Sequence, residues 1–382
     1  MHDSVIVLER LALVHLGARD HEHAVPAVDR QGRARAIRRP ERDRAEDDAR
    51  ERENDEHHDD QGDEHGHSLT VPRVKFGIQV GHLGGPLEEL RRLWRFADER
   101  GFEWFSVSDH FQETPGRGGG EPCLESVATL TAAALETKRV RVGCLVFCVS
   151  YRHPIVLAKA LTAIDLLSRG RVTCGLGAGW HEPEYQAYGI EFPRAGTRED
   201  QLEEYAEALR LLFDRRRADF SGAHYKFVDA PNNPKPLQKR LPLWIGGAGE
   251  KRTLRTAARF ADGWNAPYLP PAEWKRKSEV LDAWCTKVGR DPKSIARTIN
   301  LGFYMGADEA GAKRHEELYQ RHWSKDPRGM TGFLRGTSRE ATDVVASYAS
   351  AGAYRVNIAL REGPYDWDAL EAFASDVMPQ FV

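Results

Sequence analysis

An acidic residue and an imidazole stand side by side just after a predicted strand. The strand covers residues 102–107, and Ser108, Asp109, His110 and Phe111 follow it. Histidine exchanges a proton near neutral pH, so His110 is a candidate general acid or base, and Asp109 is a candidate to orient it. The alternative is a histidine that serves only the structure. The sequence thus predicts a catalytic pair at Asp109 and His110.

A glycine-rich turn between a predicted strand and a predicted helix has the composition of an anion site. An apolar run at 241–245 precedes the glycines, and apolar residues at helical spacing begin at Leu254. Glycine lets backbone N–H groups approach a ligand closely, and the positive end of a helix dipole favours an anion. The spacing differs from the Walker and Rossmann patterns, and a tight turn that binds nothing is the alternative. The predicted phosphate-binding residues are Gly246, Gly247, Ala248, Gly249, Glu250, Lys251 and Arg252.

The composition argues against several classes of partner. The chain has 382 residues, of which 41% are hydrophobic and 30% are charged, and its net charge is -3. This balance argues against a nucleic-acid or anionic-membrane partner, and no apolar run reaches the roughly 18 residues of a membrane span. The cysteines include no Cys-x-x-Cys pair. They are typical of reduced core residues, so we expect a cytoplasmic protein.

Residues 1–72 differ in composition from the rest of the chain. From Arg19 to His67 the sequence is rich in Arg, Asp, Glu and His, contains no Lys and has no hydrophobic periodicity. Such a segment buries too little apolar surface to offset its ordering entropy, so we predict a disordered leader. A weak metal site among its histidines is one alternative, and a translated segment upstream of the true start is another. The folded domain is expected to cover 73–382.

Strands and helices alternate eight times from residue 74 onward. This alternation predicts an α/β fold, a parallel (β/α)8 barrel of the TIM type with loop insertions, one of them a hairpin near 220–227. A doubly wound sheet is the alternative, but it leaves the eighth unit without a natural place. Functional residues of such barrels follow the C-terminal ends of the strands, so the candidate residues above should meet at one rim. The predicted strands lie at 74–80, 102–107, 140–146, 171–175, 241–246, 262–265, 298–305 and 354–360.

Four motifs, in this order along the chain, resemble those of the bacterial luciferase-like superfamily, in its branch of coenzyme F420-dependent oxidoreductases. The motifs lie at 108–111 after the second strand, 151–154 after the third, 169–180 around the fourth and 245–265 around the fifth. The resemblance runs from about Val74 to the C-terminus and leaves the leader unmatched.

The resemblance implies a barrel that holds a deazaflavin, coenzyme F420, at its rim and transfers hydride to or from a small organic substrate. In similar proteins the phosphate meets the turns that correspond to Ala178-Gly179-Trp180 and to the glycine-rich turn at 246–252. A non-prolyl cis peptide backs the deazaflavin ring, and here it would fall at Leu145–Val146 or one bond earlier. Asp109 and His110 match the pair that reaches the reactive edge of the cofactor.

Two other functions remain open at this point. The second hypothesis is an FMN-dependent monooxygenase of the same superfamily, and the third is a non-catalytic barrel that sequesters a flavin-type cofactor. The expected partner is a small-molecule substrate, and a homodimer is common among barrels of this type. No metal site is predicted in the barrel, because no His-x-His follows the first strand.

One position departs from the family pattern. Trp180 stands where sugar-phosphate-oxidising relatives carry a catalytic Glu, which argues against transferring their mechanism or their substrate. Glu182 and Glu184 lie close by and are candidates to replace that residue, although charged loop residues are usually only solvated. Trp180, Trp264 and Tyr268 are candidates for the wall of the substrate pocket, with core packing an equal alternative for Trp264.

Overall fold

The computed structural model describes residues 73–81, 86–112, 120–323, 330–361 and 363–381. The segment 1–72, for which a disordered leader is predicted, lies outside the described residues.

Eight parallel strands close into a barrel, as the sequence predicts. Around the barrel their order is β11, β1, β2, β3, β4, β7, β8 and β9, and β9 pairs with β11 to close the ring. In chain order the strands are β1 (Lys75–Val80), β2 (Trp104–Val107), β3 (Arg141–Cys148), β4 (Val172–Gly177), β5 (Arg217–Ser221), β6 (Lys226–Pro231), β7 (Leu243–Gly246), β8 (Gly263–Pro267), β9 (Ala296–Met305), β10 (Phe333–Gly336) and β11 (Arg355–Leu360). The doubly wound alternative is excluded by this closure.

Helices lie between the strands and bury an apolar face against them. In α1 the buried residues Leu90, Leu93, Trp94 and Ala97 recur at helical spacing. None of the helices in the described ranges combines the length and the apolar content that a bilayer crossing requires. The helices are α1 (Leu87–Glu99), α2 (Ser126–Glu136), α3 (Pro154–Leu167), α4 (Glu182–Ala187), α5 (Ala195–Asp214), α6 (Thr253–Phe260), α7 (Pro271–Lys287), α8 (Glu309–Trp323), α9 (Ser338–Ser350) and α10 (Trp367–Ala372).

Two pieces of β-structure lie outside the barrel. The predicted hairpin forms from β5 and β6, which pair antiparallel as a separate sheet. The sequence analysis missed β10, which pairs parallel with residues 302–305 at the end of β9. The first half of β9 has a partner on each side, whereas its last residues run past the barrel and pair with β10 instead. Only Phe333 and Leu334 are apolar in β10, so no apolar run of strand length marks it in the sequence.

A close approach between three strands shapes the C-terminal mouth of the barrel. The Leu145–Val146 peptide is cis, at one of the two bonds predicted, and the register between β3 and β4 shifts there. A Cβ atom placed on Gly177 would lie 2.3 Å from Cγ2 of Val146, and one on Gly246 would lie 2.6 Å from Cγ1. Glycine at these two positions is therefore what lets the Val146 side chain lie across the ends of β4 and β7.

We expect Gly177→Ala to lower the free energy of unfolding by roughly 1–3 kcal/mol, because the added methyl overlaps a β-branched side chain that has little rotamer freedom. Adding Val146→Ala to the same chain should recover most of that loss. Urea denaturation of the single and double variants measures both terms.

Gly120→Ala is the matched control, because a Cβ at that exposed position meets no atom within 4 Å. Equal destabilisation by Gly177→Ala with and without Val146→Ala would contradict the packing described here.

Candidate active site

A cavity of about 430 Å³ opens at the C-terminal mouth of the barrel, and each of the eight barrel strands, or the loop that follows it, contributes to its wall. The part formed after β3, β4 and β7 is rich in glycine, whereas the part formed after β8, β9, β11 and β1 carries amide, aromatic and guanidinium side chains. His110, after β2, stands at one boundary between the two parts. The wall thus has one half shaped by bare backbone and one half that offers polar groups.

Asp109 lines this cavity, but its carboxylate is engaged in holding two loops together. Arg152 donates to both of its oxygens, at 2.6 and 2.7 Å, and the hydroxyl of Ser126 donates at 2.5 Å. The backbone N–H of Cys148 donates at 2.9 Å. Asp109 therefore fixes the loop after β2 to the loop after β3. Its predicted catalytic role stays a prediction, and the partner that orients His110 is a different residue.

That partner is Glu184, in α4. Its Oε2 atom lies 2.8 Å from Nδ1 of His110 and accepts a hydrogen bond of 2.5 Å from the hydroxyl of Tyr151. Its Oε1 atom accepts from the backbone N–H groups of Phe111, at 2.5 Å, and Gln112, at 3.2 Å. The Glu184 side chain is fully buried. Glu184 is therefore not a solvated loop residue, and that alternative is wrong.

The charge state of Glu184 follows from these contacts. Burial alone would raise its pKa, but the hydrogen bond and charge of His110, with the bonds from Tyr151 and Phe111, outweigh burial and lower the pKa to about 2. Burial and the Glu184 carboxylate raise the pKa of Tyr151, which keeps its proton and donates. An ionised carboxylate only accepts, so Nδ1 of His110 carries the proton of the hydrogen bond between them.

The residues predicted around the fourth strand and the third lie together in the wall. Leu145, Val146, Ala178, Gly179 and Trp180 all line the cavity. Gly179 adopts a φ of +80°, and a Cβ there would lie 1.9 Å from the Tyr185 hydroxyl. Only glycine fits that position. Their contact with a cofactor stays a prediction.

The glycine-rich turn after β7 reaches the same cavity only in part. Residues 246–249 line it, whereas Glu250, Lys251 and Arg252 do not. The helix begins at Thr253, so the two cations precede α6 instead of occupying its first turn. Arg252 donates to Asp200, and Glu250 accepts from Arg276 and Lys277. These charges face neighbouring helices, so a role for the three residues in binding a phosphate stays a prediction that the lining of the cavity does not favour.

A carboxylate lies where the turn was expected to be positive. Glu199, in α5, lines the cavity, and both of its oxygens accept from the hydroxyl of Thr253, at 2.9 and 3.0 Å. Burial raises the pKa of Glu199, although Thr253 and two nearby arginines act in the opposite direction. The sequence analysis missed Glu199, because nothing in an amphipathic helix marks which acidic residue will face a cavity on another loop.

Aromatic residues wall the remaining side. Trp180, half-exposed, and Tyr268 line the cavity, as predicted, and Trp323 joins them from the end of α8. Trp264 is fully buried, and its indole N–H donates to the carbonyl of Gly247 at 2.7 Å. Core packing is therefore the correct interpretation of Trp264, which also holds the glycine-rich turn in place.

Three further wall residues, Gln79, Asn300 and Arg361, were not predicted. The available signal is period-2 alternation: Thr298 and Asn300 interrupt the apolar residues of β9 at every second position.

Within the described ranges, no group of three or more His, Cys, Asp or Glu side chains is placed to hold a metal ion.

Sequence comparison relates the chain to known proteins. The family model for the luciferase-like monooxygenase matches residues 73–378. An uncharacterized protein of Mycobacterium bovis is 33% identical over 184 residues, 44% of this chain and 64% of that relative, so the match spans less than two thirds of its length. An F420-dependent glucose-6-phosphate dehydrogenase of Segniliparus rotundus is 30% identical over 274 residues, 69% of this chain and 80% of the relative.

Structural comparison gives the same barrel. An F420-dependent secondary alcohol dehydrogenase in complex with an F420-acetone adduct has a TM-score of 0.70 and 18% sequence identity to this chain. The superposition covers 81% of this chain and 99% of the dehydrogenase. At that identity the likeness establishes a shared fold.

The low pKa of Glu184 leads to a pH-dependent stability difference between the protein and its Glu184→Gln variant. A carboxyl whose pKa falls from about 4.5 unfolded to about 2 folded contributes roughly 3 kcal/mol at neutral pH, and that contribution is lost as pH falls through this range. We therefore expect the wild type to be the more stable at pH 6 and the difference to shrink between pH 4.5 and pH 3, measured by urea denaturation.

Glu204→Gln serves as the control, because Glu204 also accepts from backbone N–H groups, those of residues 223–225, but lies outside the cavity. A Glu184→Gln difference that stays constant with pH would contradict the lowered pKa.

Proposed function

This chain belongs to the luciferase-like monooxygenase family, and we propose that within it the protein is an F420-dependent oxidoreductase that transfers hydride between the deazaflavin and a small organic substrate. The observation that carries the proposal is the meeting of two glycine-rich turns, far apart in sequence, in one cavity beside His110. The dehydrogenase of Segniliparus rotundus, a relative by sequence, supports the choice of F420.

The shape of the glycine half fits a large flat cofactor with a phosphate. Gly177 and Gly246 let the Val146 side chain lie across the ends of β4 and β7, and Gly179 keeps the turn after β4 free of a side chain. The backbone N–H groups of Ala248 and Gly249 would hold the phosphate, since that of Gly247 donates to the carbonyl of Asn265 and the hydroxyl of Thr253 donates to Glu199. Glu199 opposes an anion in this half, and because burial raises the pKa of its carboxyl, that opposition weakens as pH falls.

The dyad of His110 and Glu184 supplies the proton chemistry. When bound, the deazaflavin carries two electrons as hydride. As an alcohol is oxidised, Nε2 of His110 takes the hydroxyl proton, and the Glu184 carboxylate stabilises the imidazolium that forms. In the direction of reduction the same nitrogen returns the proton to the carbonyl oxygen. Glu184 is thus a positioning residue, since it touches the imidazole and not the substrate.

The aromatic wall excludes water from the reacting atoms. Tyr268 and Trp323 line the cavity on the side of β8 and β9, and Trp180 lines it next to Gly179. Exclusion of water protects the reduced cofactor from side reactions and strengthens the electrostatic contacts inside. The absence of a Glu at position 180 keeps the glucose-6-phosphate substrate of the relatives outside this proposal.

An FMN-dependent monooxygenase is the second candidate, favoured by the description of the matching family. The glycine half would hold FMN through the same groups.

The proposed compartment is the cytoplasm, supported by five cysteines that form no disulfide, four of them buried.

Calorimetric titration of the full chain with F420 and with FMN separates the two candidates. We expect F420 to bind with a micromolar Kd and FMN to bind at least about tenfold more weakly, a difference of roughly 1.4 kcal/mol. Micromolar binding of FMN without affinity for F420 would instead select the monooxygenase.

The same titration of His110→Ala distinguishes an enzyme from a barrel that only sequesters its cofactor. The variant should keep the affinity for F420 within about threefold, whereas substrate-dependent reduction of F420 should fall by roughly 10²–10⁴-fold, the contribution typical of general acid–base groups. Unchanged turnover would contradict the role given to His110.

Glu199 makes the binding of F420 depend on pH. Its pKa is raised by burial, so the carboxyl is neutral at low pH and tolerates a phosphate, and it becomes charged and repulsive as pH rises. We expect the Kd for F420 to increase with pH in the wild type by roughly tenfold, and to stay flat in Glu199→Gln. Glu207→Gln, on the same helix but outside the cavity, should follow the wild type. Parallel profiles for the wild type and Glu199→Gln would remove Glu199 from the phosphate site.

A further inference from the structure

A column of polar residues fills the barrel interior below the cavity. Arg355, in β11, is 2% exposed, packs against the rings of Trp104 and Trp244, and bonds Glu103 through Nη1. Its Nε atom donates to Oδ1 of Asn357 at 2.9 Å. A guanidinium has no acceptor, so this bond fixes which end of the Asn357 amide faces downward.

The orientation of the Asn357 amide fixes the orientation of two more asparagine amides. With its oxygen held by Arg355, its NH2 group points upward and donates to Oδ1 of Asn300, at 2.9 Å, and to Oδ1 of Asn265, at 3.2 Å. The hydroxyl of Thr298 also lies 2.9 Å from Oδ1 of Asn265. Both upper amides therefore have their oxygens turned toward the interior, and the chain of donors runs in one direction from Arg355 to the cavity.

The NH2 groups of Asn265 and Asn300 are consequently presented at the cavity floor. Both residues line the cavity, and they are only 3% and 6% exposed. Neither NH2 group donates to any residue that the structure describes, so both are available to a molecule in the cavity. Arg361 also lines the cavity and stacks on Trp323 at 4.7 Å.

We propose that the floor of the cavity beside β8 and β9 is a binding site for a carbonyl or carboxylate oxygen, held by the NH2 groups of Asn265 and Asn300. This inference deepens the proposed function and rests on it for the identity of the ligand. Two molecules of the proposed reaction carry such an oxygen: the ring of the deazaflavin, and a substrate with a carbonyl or carboxylate group. Arg355 and Asn357 are positioning residues, which set the polarity of the floor without touching the ligand.

Asn357→Asp tests the inference without altering the cavity wall. An aspartate accepts from Arg355 through one oxygen and can only accept through the other, so the side-chain amides of Asn265 and Asn300 must both rotate to donate to it. Their NH2 groups then point inward and their carbonyl oxygens face the ligand. The floor changes from donor to acceptor, while every lining residue stays the same.

Two measurements read this change. Hydrogen exchange of ¹⁵N-asparagine side chains by NMR needs no ligand: we expect the NH2 groups of Asn265 and Asn300 to exchange rapidly in the wild type and to become protected in Asn357→Asp. Calorimetry with F420, and with benzoate as a carboxylate probe, should show a loss of affinity of about tenfold in the variant. Loss toward F420 assigns the oxygen to the cofactor ring, and loss toward benzoate alone assigns it to the substrate.

Asn232→Asp is the control for a buried carboxylate, because Asn232 is 1% exposed and lies outside the cavity. It should leave both affinities within about twofold of the wild type. If Asn357→Asp does not fold, Asn300→Asp places an acceptor at the floor directly and should give the same loss.

The outcomes that overturn the inference are distinct from failure of the proposed function. Protection of the Asn265 and Asn300 NH2 groups in the wild type, or unchanged affinity for both ligands in the variants, removes the site, as does a wild type that binds neither ligand. Benzoate binding that the variants weaken, in a protein that binds neither F420 nor FMN, would leave the site standing and reject the cofactor.

Discussion

A carboxylate buried at the mouth of the barrel must be surrounded by donors, and this requirement organises the candidate site. The ion of Glu184 loses its hydration, and the cost is offset only because four donors reach it. Those donors come from the loops after β2 and β3, so α4 is bound to both. Asp109 meets the same requirement one layer away, through Arg152. The imidazole of His110 is bonded to the first of these carboxylates, that of Glu184.

Residues in the two halves of the mouth are held in position by different interactions. In the glycine half, position is set by contact: Val146 lies where side chains on β4 and β7 would overlap it, so the backbone itself forms the wall. In the opposite half, position is set by hydrogen bonds, which begin at Arg355 and end at two amide groups. A ligand that spans the mouth meets a surface that selects by shape on one side and by hydrogen-bonding polarity on the other.

Much of this could be predicted from the sequence, and the failures have physical causes. The eight barrel strands, the resemblance to the luciferase-like superfamily and the cis bond before Val146 were predicted correctly, because strand periodicity and ordered motifs are local signals. Glu184 is a candidate in the sequence beside the alternative of a solvated residue, and the sequence cannot decide between the two because the burial of Glu184 depends on donors from two distant loops. A role for Lys251 and Arg252 at the phosphate stays a prediction. Neither lines the cavity, and Arg252 donates to Asp200, a contact between distant elements that the sequence does not show.

The interior column links residues below the cavity to the polarity of the cavity floor. Residues at the base of a barrel are commonly assigned to stability, and those after the C-terminal ends of the strands to function. Here Glu103, Arg355 and Asn357 lie below the cavity, yet each bond in the column fixes the direction of the next. A guanidinium cannot reverse its role, so the amides above it cannot reverse theirs at equal free energy. The polarity of the cavity floor is therefore a property of the whole barrel axis, and a substitution two layers below the ligand can change what the mouth accepts.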